Sequence, residues 1–148
     1  MSEDSLLRVD DLTVEFRTDQ GVVRAVDGVS FDIARGETVC LVGESGSGKT
    51  VVGESITRVL REPPGEIREG AIHFDGQDLR SLSEAQLGAV RGDRIAHVFQ
   101  NPQDSLNPVY TVGWQVIEAV QLHADVSKRE ARARAIDLLD HVGIPGPA

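Results

Sequence analysis

Residues 43–50 read Gly-Glu-Ser-Gly-Ser-Gly-Lys-Thr and fill every fixed position of the pattern G-x-x-x-x-G-K-[ST]. Average residue usage would produce that match by accident in roughly one chain in a hundred of this length or fewer, so the flanks decide what it means. Upstream, residues 38–42 (TVCLV) are continuously apolar, which predicts a strand covered on both faces. Downstream, residues from about 49 to 60 place Val52, Ile56 and Val59 on one face of a helix. A glycine-rich turn between a strand end and a helix start suits an anion. Gly43, Gly46 and Gly48 let the backbone bend with its amides inward, and the helix adds its positive N-terminal end. Lys49 supplies a compact charge for β- and γ-phosphates, and the Thr50 hydroxyl can ligate a Mg²⁺ that bridges them. Lysine is scarce here, with 13 Arg against two Lys, and one of the two stands at this position. The competing reading of the same residues is a Gly-Ser turn that happens to end in Lys-Thr.

Working outward, residues 6–17 and 22–33 alternate apolar and polar side chains, and the Asp-Gln-Gly between them is hairpin chemistry, so the chain is expected to open with an antiparallel pair. GAIHFDGQDL (70–79) reads as a strand and turn, and RIAHVFQ (94–100) as a further strand. Ser83 with Gln86, and Ser127 with Glu130, have the spacing of capping boxes. They start helices expected near 84–92 and 128–142, the second with Ala131, Ala135, Leu138 and Val142 on one face and Gly143 and Pro145 as its stop. Another helical pattern covers about 112–122, after the polar stretch QNPQDSLNP. Residues 1–104 thus read as α/β and residues 105–148 as helical.

Composition narrows the class. The chain has 148 residues, is 40% hydrophobic, and carries a net charge of −9 from 24 acidic and 15 basic residues. That field repels a nucleic-acid backbone and argues against nucleic acid as a partner. The start MSEDSLLRVDD lacks both a basic and an apolar leader region, and no apolar run is long enough to span a bilayer, so a cytosolic protein is expected. Cys40, the one cysteine, lies within TVCLV and is expected to be an inert core residue. His73, His97, His123 and His141 have no metal-ligand spacing. Asp75 follows an apolar run but continues into Gly-Gln-Asp as a turn, and KREARAR (128–134) reads as a solvated helix face.

The segments LVGESGSGKT (41–50), GAIHFDGQDL (70–79) and VFQNPQDSLNPVYTVGWQV (98–116), in that order, resemble the ATP-binding-cassette ATPases, and SLNP ahead of a V-G helix start resembles the branch that drives oligopeptide and dipeptide importers. The resemblance covers essentially the whole chain. It implies an α/β P-loop NTPase core with an antiparallel β edge, formed by residues 1–104, and the beginning of an α-helical subdomain in 105–148. It also implies ATP and Mg²⁺ as cofactors. Phe16 falls where such proteins stack an aromatic on adenine. Gly43, Glu44, Ser45, Gly46, Ser47, Gly48, Lys49 and Thr50 form the phosphate loop, Thr50 and Gln100 reach the metal, and Gln100 with Lys49 serves catalysis. The implied partners are transmembrane permease subunits, met by the segment after Gln100 with Val109, Tyr110 and Trp114 as contacts, and a second ATPase subunit. The implied place is the inner face of the cell membrane. A signature segment of the LSGGQ kind, a second strand ending in Asp and Glu, and a switch histidine do not occur before Ala148. The chain is therefore expected to be truncated and inactive in turnover by itself. A non-transport cassette and a fragment with only a structural role are the alternatives.

Overall fold

The structure, a computed structural model, describes residues 5–101, 105–144 and 146. Alternation along the first two segments produces the expected hairpin. Strands β1 (Ser5–Thr18) and β2 (Gly21–Ala34) pair antiparallel from Ser5 opposite Ala34 to Thr18 opposite Gly21. Its turn is closed by Thr18, whose hydroxyl donates to the Gly21 carbonyl (2.8 Å) and accepts from the Gln20 amide (3.3 Å). On the other edge of β1 lies β3 (Gly65–Phe74), also antiparallel, followed by the short β4 (Gln77–Asp78), which gives the order β2-β1-β3-β4.

In β1 the inward face changes phase. Leu7 and Val9 are buried, then Leu12 and Val14. The odd-to-even change is possible because the ladder is irregular between Val9 and Leu12, where Asp11 sits at φ 48°. Gly70 of β3 lies against that bulge, at φ 94°, where a Cβ would overlap the carbonyl oxygens of Asp10 and Asp11. Thr13, buried within the same stretch, accepts a hydrogen bond from the Gly28 amide (3.1 Å). Val26, Ile72, Phe74, Leu79 and Leu87 are also buried, together with Val52 and Leu60. Arg24 and Arg68 straddle the partly buried Glu15 at 3.3 and 3.5 Å, each arginine itself exposed, and pairs open to solvent on one side contribute modestly to stability.

Helix α1 spans Lys49–Ile56, shorter than the 49–60 expected, because the backbone turns left-handed at Arg58 (φ 50°). Val52 is buried as anticipated, whereas Val59 is exposed. Helix α2 covers Glu84–Val90, with Ser83 and Gln86 in reciprocal hydrogen bonds at its start.

Two expectations fail. Residues 38–42 form no strand, Val39, Leu41 and Val42 are exposed, and Cys40 is exposed rather than buried. RIAHVFQ is not a strand either: Ile95 makes a single bridge to Arg91, and Val98 and Phe99 are exposed. An apolar run has strand propensity, but a strand exists only through its neighbours. All strand ladders among the described residues are antiparallel, and beyond the isolated parallel bridge from Arg91 to Ile95 neither run finds a parallel partner there.

Internal packing divides the chain into two units between Gly88 and Ala89, so the boundary expected at 104/105 falls inside the second. In that unit α3 (Val112–His123) is capped by Thr111, whose hydroxyl accepts from the Trp114 amide (3.2 Å), and α3 packs against α4 (Lys128–His141). Ser127 and Glu130 form the anticipated capping box. Ala131 and Ala135 are buried, while Leu138 and Val142 of the same expected face are exposed. Gly143 ends α4 at φ 79°. Its companion stop, Pro145, and residues 102–104 of QNPQDSLNP lie outside the described residues. Among the described residues no helix is long and apolar enough to cross a membrane.

Two measurements check this packing. Leu12→Ala, at a fully buried site, should destabilise by about 2–5 kcal/mol, whereas Val22→Ala, on an exposed site, should stay within about 0.5 kcal/mol; urea midpoints at unchanged slope report both. In the capping box the Ser127 hydroxyl, and then its amide, hold the Glu130 carboxyl below the ordinary glutamate range. A lowered folded-state value means that the box contributes above the unfolded value and is lost as pH falls through the folded one. The Ser127 amide resonance should therefore titrate with a midpoint below that of an unperturbed glutamate, and Glu130→Gln should abolish that titration.

Candidate functional site

Residues 43–48 lead directly into α1. Gly46 (φ 84°) and Gly48 (φ 88°) occupy the left-handed region that favours glycine, and the Ser47 amide donates to the Glu44 carbonyl (3.2 Å), closing a turn between them. Gly48 is the N-cap and offers no side-chain cap; the ladder begins only with the Val52 amide donating to the Gly48 carbonyl (2.9 Å). The amides of the first turn thus have no side-chain acceptor, and no acidic residue in that turn offsets the positive helix end. A second constraint acts on Gly48: a Cβ there would overlap the carbonyl oxygen of Ala25. The head of α1 therefore rests on the backbone of β2.

Lys49 folds back over the loop. Its Nζ donates to the carbonyls of Gly43 (3.0 Å) and Glu44 (2.6 Å) and to the Ser47 hydroxyl (3.3 Å). The ammonium bridges residues 43, 44 and 47 of the loop that leads into the uncapped first turn, so one half-buried point charge and a row of N–H donors belong to one continuous segment. That combination fits a chain of phosphates. Ser45 and Thr50 are exposed, Thr50 in the first turn of α1. Among the described residues no group of three His, Cys, Asp or Glu could hold a metal. A Mg²⁺ here would take the Thr50 hydroxyl as a protein ligand and most of its remaining oxygens from phosphate and water.

The other anticipated residues are placed as follows. Phe16 is half buried in β1, with its ring over Gly65 of β3, where a Cβ would stand 3.0 Å from Phe16 Cε1. Gln100 belongs to the second unit and is exposed. Asp75 is a turn residue at φ 49°, ion-paired with Arg35. The His141 ring Nδ1 is hydrogen-bonded to the Asp137 carbonyl at 3.0 Å, and His97 packs against Phe99. Sequence reasoning missed Ala25, whose part is played by a backbone carbonyl that no side-chain pattern announces.

The arrangement has the form of a P-loop at the head of a helix in an ABC-type ATPase cassette. The chain belongs to the ABC transporter family, whose model matches residues 26–148. It is 46% identical over 142 residues to the oligopeptide transport ATP-binding protein OppD of Bacillus subtilis, covering 96% of this chain and 40% of that protein. It is 45% identical over 144 residues to the dipeptide transport ATP-binding protein DppD of Escherichia coli, covering 97% and 44%. The dimeric post-hydrolysis structure of the ATP-binding cassette MJ0796 bound to ADP and Pi aligns with a TM-score of 0.77 at 26% identity, over 90% of this chain and 56% of that one. The chain thus spans less than half the length of these curated relatives.

Two glycine substitutions separate strain from collision. Gly46→Ala meets nothing within 4 Å and should cost about 1–2 kcal/mol for the left-handed backbone. Gly48→Ala adds the overlap with Ala25 and should cost more, as read by the difference in urea midpoints. Equal costs would show that the α1–β2 approach is not tight.

Proposed function

We propose that this chain is the nucleotide-binding front part of an ATP-binding subunit that powers peptide import, and that residues 43–50 bind Mg-ATP. The observation that carries this reading is the left-handed glycine turn running into an uncapped first turn, with Lys49 beside it. The oligopeptide and dipeptide roles of the relatives support the substrate class, and ADP with Pi in the aligned cassette supports the ligand.

In this reading the amides of the loop and the first turn of α1 hold the β- and γ-phosphates. Lys49 moves its ammonium from loop carbonyls onto phosphate oxygens, a short displacement within one hydrogen-bonding neighbourhood. The exposed side chains of Glu44 and Ser45 would border the nucleotide, and the hydroxyl of Thr50 would be a protein ligand of the metal. Mg²⁺, when bound, neutralises phosphate charge. Phe16 stacks on adenine, a contact of about 1–3 kcal/mol for a base on an aromatic face. Gln100 can offer a carbonyl to the metal and an N–H to water. Residues 1–104 make the nucleotide core and 105–148 the helical arm.

Partners belong to the same proposal. Val109 is 82% exposed, Tyr110 50% and Trp114 42%, and the last two stack with centroids 4.4 Å apart. Exposed aromatics of this kind are favoured at the centre of protein interfaces, and a permease subunit at the inner membrane face is the partner in this reading. A second cassette subunit completes the assembly.

Equilibrium titration tests the core of the proposal. Lys49→Ala removes a charged donor, and such hydrogen bonds contribute about 1.5–3 kcal/mol. Mg-ATP affinity should fall by about tenfold or more, while adenosine affinity stays the same. Wild-type Mg-ATP affinity in that variant would refute the assignment of the site.

A further inference from the structure

Helices α1 and α4 end in the same hydrogen-bond pattern on different residues. In α4 the left-handed position is Gly143 (φ 79°), whose amide donates to the Asp140 carbonyl (2.9 Å) while the Ile144 amide donates to Leu139 (3.0 Å). In α1 that position is Arg58 (φ 50°), whose amide donates to the Ser55 carbonyl (3.1 Å) while the Val59 amide donates to Glu54 (3.0 Å). Glycine takes this conformation freely, whereas a residue with a Cβ takes it against a steric penalty. The side chain of Arg58 shows what accompanies that penalty. Its Nη1 donates to the carbonyls of Leu82 (2.9 Å) and Leu79 (3.3 Å), and its Nη2 pairs with Glu84 at 3.3 Å. The side chain is 28% exposed.

These bonds tie the far end of α1 to the segment 79–84, which is itself fixed by the fully buried Leu79 and by the Ser83 cap of α2. The near end of α1 rests on Ala25 through Gly48. Between the ends, only Val52 and Ser55 of the helix are buried. An eight-residue helix is about 12 Å long, and with so small an interior anchor its tilt is set by its two ends.

We propose that Arg58 is a positioning residue for the phosphate loop: by clamping the far end of α1 it fixes the direction in which the first-turn amides and Lys49 point. This rests on the reading of residues 43–50 as a polyphosphate site, and it adds a determinant outside the motif that touches no ligand. Arg58→Gly removes the clamp while relieving the backbone, so the two effects on stability oppose each other and only the loss of aim remains. Arg58→Lys keeps the charge but lacks the planar fork that reaches two carbonyls and a carboxylate at once.

The test uses the full chain, with inorganic tripolyphosphate as the probe because it reads the loop without the base, and adenosine as the control. In Arg58→Gly the thermal midpoint should stay within a few degrees of wild type while the Kd for tripolyphosphate rises by roughly threefold to thirtyfold, the range of couplings carried by residues without ligand contact. Arg58→Lys should fall between, adenosine binding should not change, and amide exchange at Val52 and Gly53 should quicken in Arg58→Gly. Unchanged tripolyphosphate affinity in a folded Arg58→Gly protein overturns the proposal. So does an affinity loss that simply follows the thermal midpoint across both variants, since that is a structural role alone. A wild-type chain that binds neither tripolyphosphate nor Mg-ATP overturns the phosphate-site reading itself, which keeps the two failures apart.

Discussion

The approach of Gly48 to the carbonyl oxygen of Ala25 joins the antiparallel sheet to the phosphate loop, and both sides of that contact are shaped by it. A backbone that comes this close to another leaves no room for a Cβ, so the motif's second fixed glycine answers a packing demand as well as a conformational one. The hairpin supplies a stiff support because β1 is paired along both edges and holds the fully buried Leu12 and Val14. The bulge at Asp11, accommodated by Gly70, keeps the apolar face of β1 inward on both sides of the irregularity. A loop that must present amides at fixed angles needs such a base, since a mobile platform would cancel the preorganisation that makes backbone donors effective.

What could be read in the sequence was what is encoded locally. Alternation with a turn between the runs gave β1 and β2; Ser83 with Gln86 and Ser127 with Glu130 gave helix starts; G-x-x-x-x-G-K-[ST] gave the loop. Each depends on residues a few positions apart. TVCLV and RIAHVFQ failed for the opposite reason. Their apolar character is real, but burial and pairing depend on partners far along the chain, and no described residue supplies one. The end of α1 misled for a further reason: Val59 continues the apolar spacing, yet the left-handed turn at Arg58 carries it out of the helix and into solvent. Cys40 followed its segment into exposure.

A chain of net charge −9 is an unpromising receptor for polyphosphate if charge is averaged over its surface. The averaging is the error. Screening limits the reach of exposed charges to about 8–10 Å in physiological salt, so the loop responds mainly to its own neighbourhood. There the first turn of α1 carries no acid, the ammonium of Lys49 over the loop offsets the loop's single acid, the exposed Glu44, and peptide dipoles contribute partial charges that need no counterion. A site built from backbone donors can therefore operate inside an acidic protein, whereas one built from surface basic side chains would have to overcome the whole field.

That construction also divides the work of recognition. In the proposed reading, amides and one lysine would respond to the number and spacing of phosphate oxygens and carry no information about a base. In that reading, selection of a nucleotide over inorganic polyphosphate would come from a flat apolar surface elsewhere, and Phe16 in β1 is the aromatic that the resemblance assigns to it. Both parts are tied to the same hairpin: Phe16 lies on β1 opposite Val23 of β2, and the phosphate loop is seated two residues farther along β2, at Ala25. If Phe16 takes the base, the sheet register fixes the spacing between the place for a base and the place for phosphates. A slip of the β1–β2 ladder would then disturb nucleotide discrimination before it disturbed phosphate binding, because the loop's own hydrogen bonds from Ser47 and Lys49 are made within residues 43–49 and do not depend on the register.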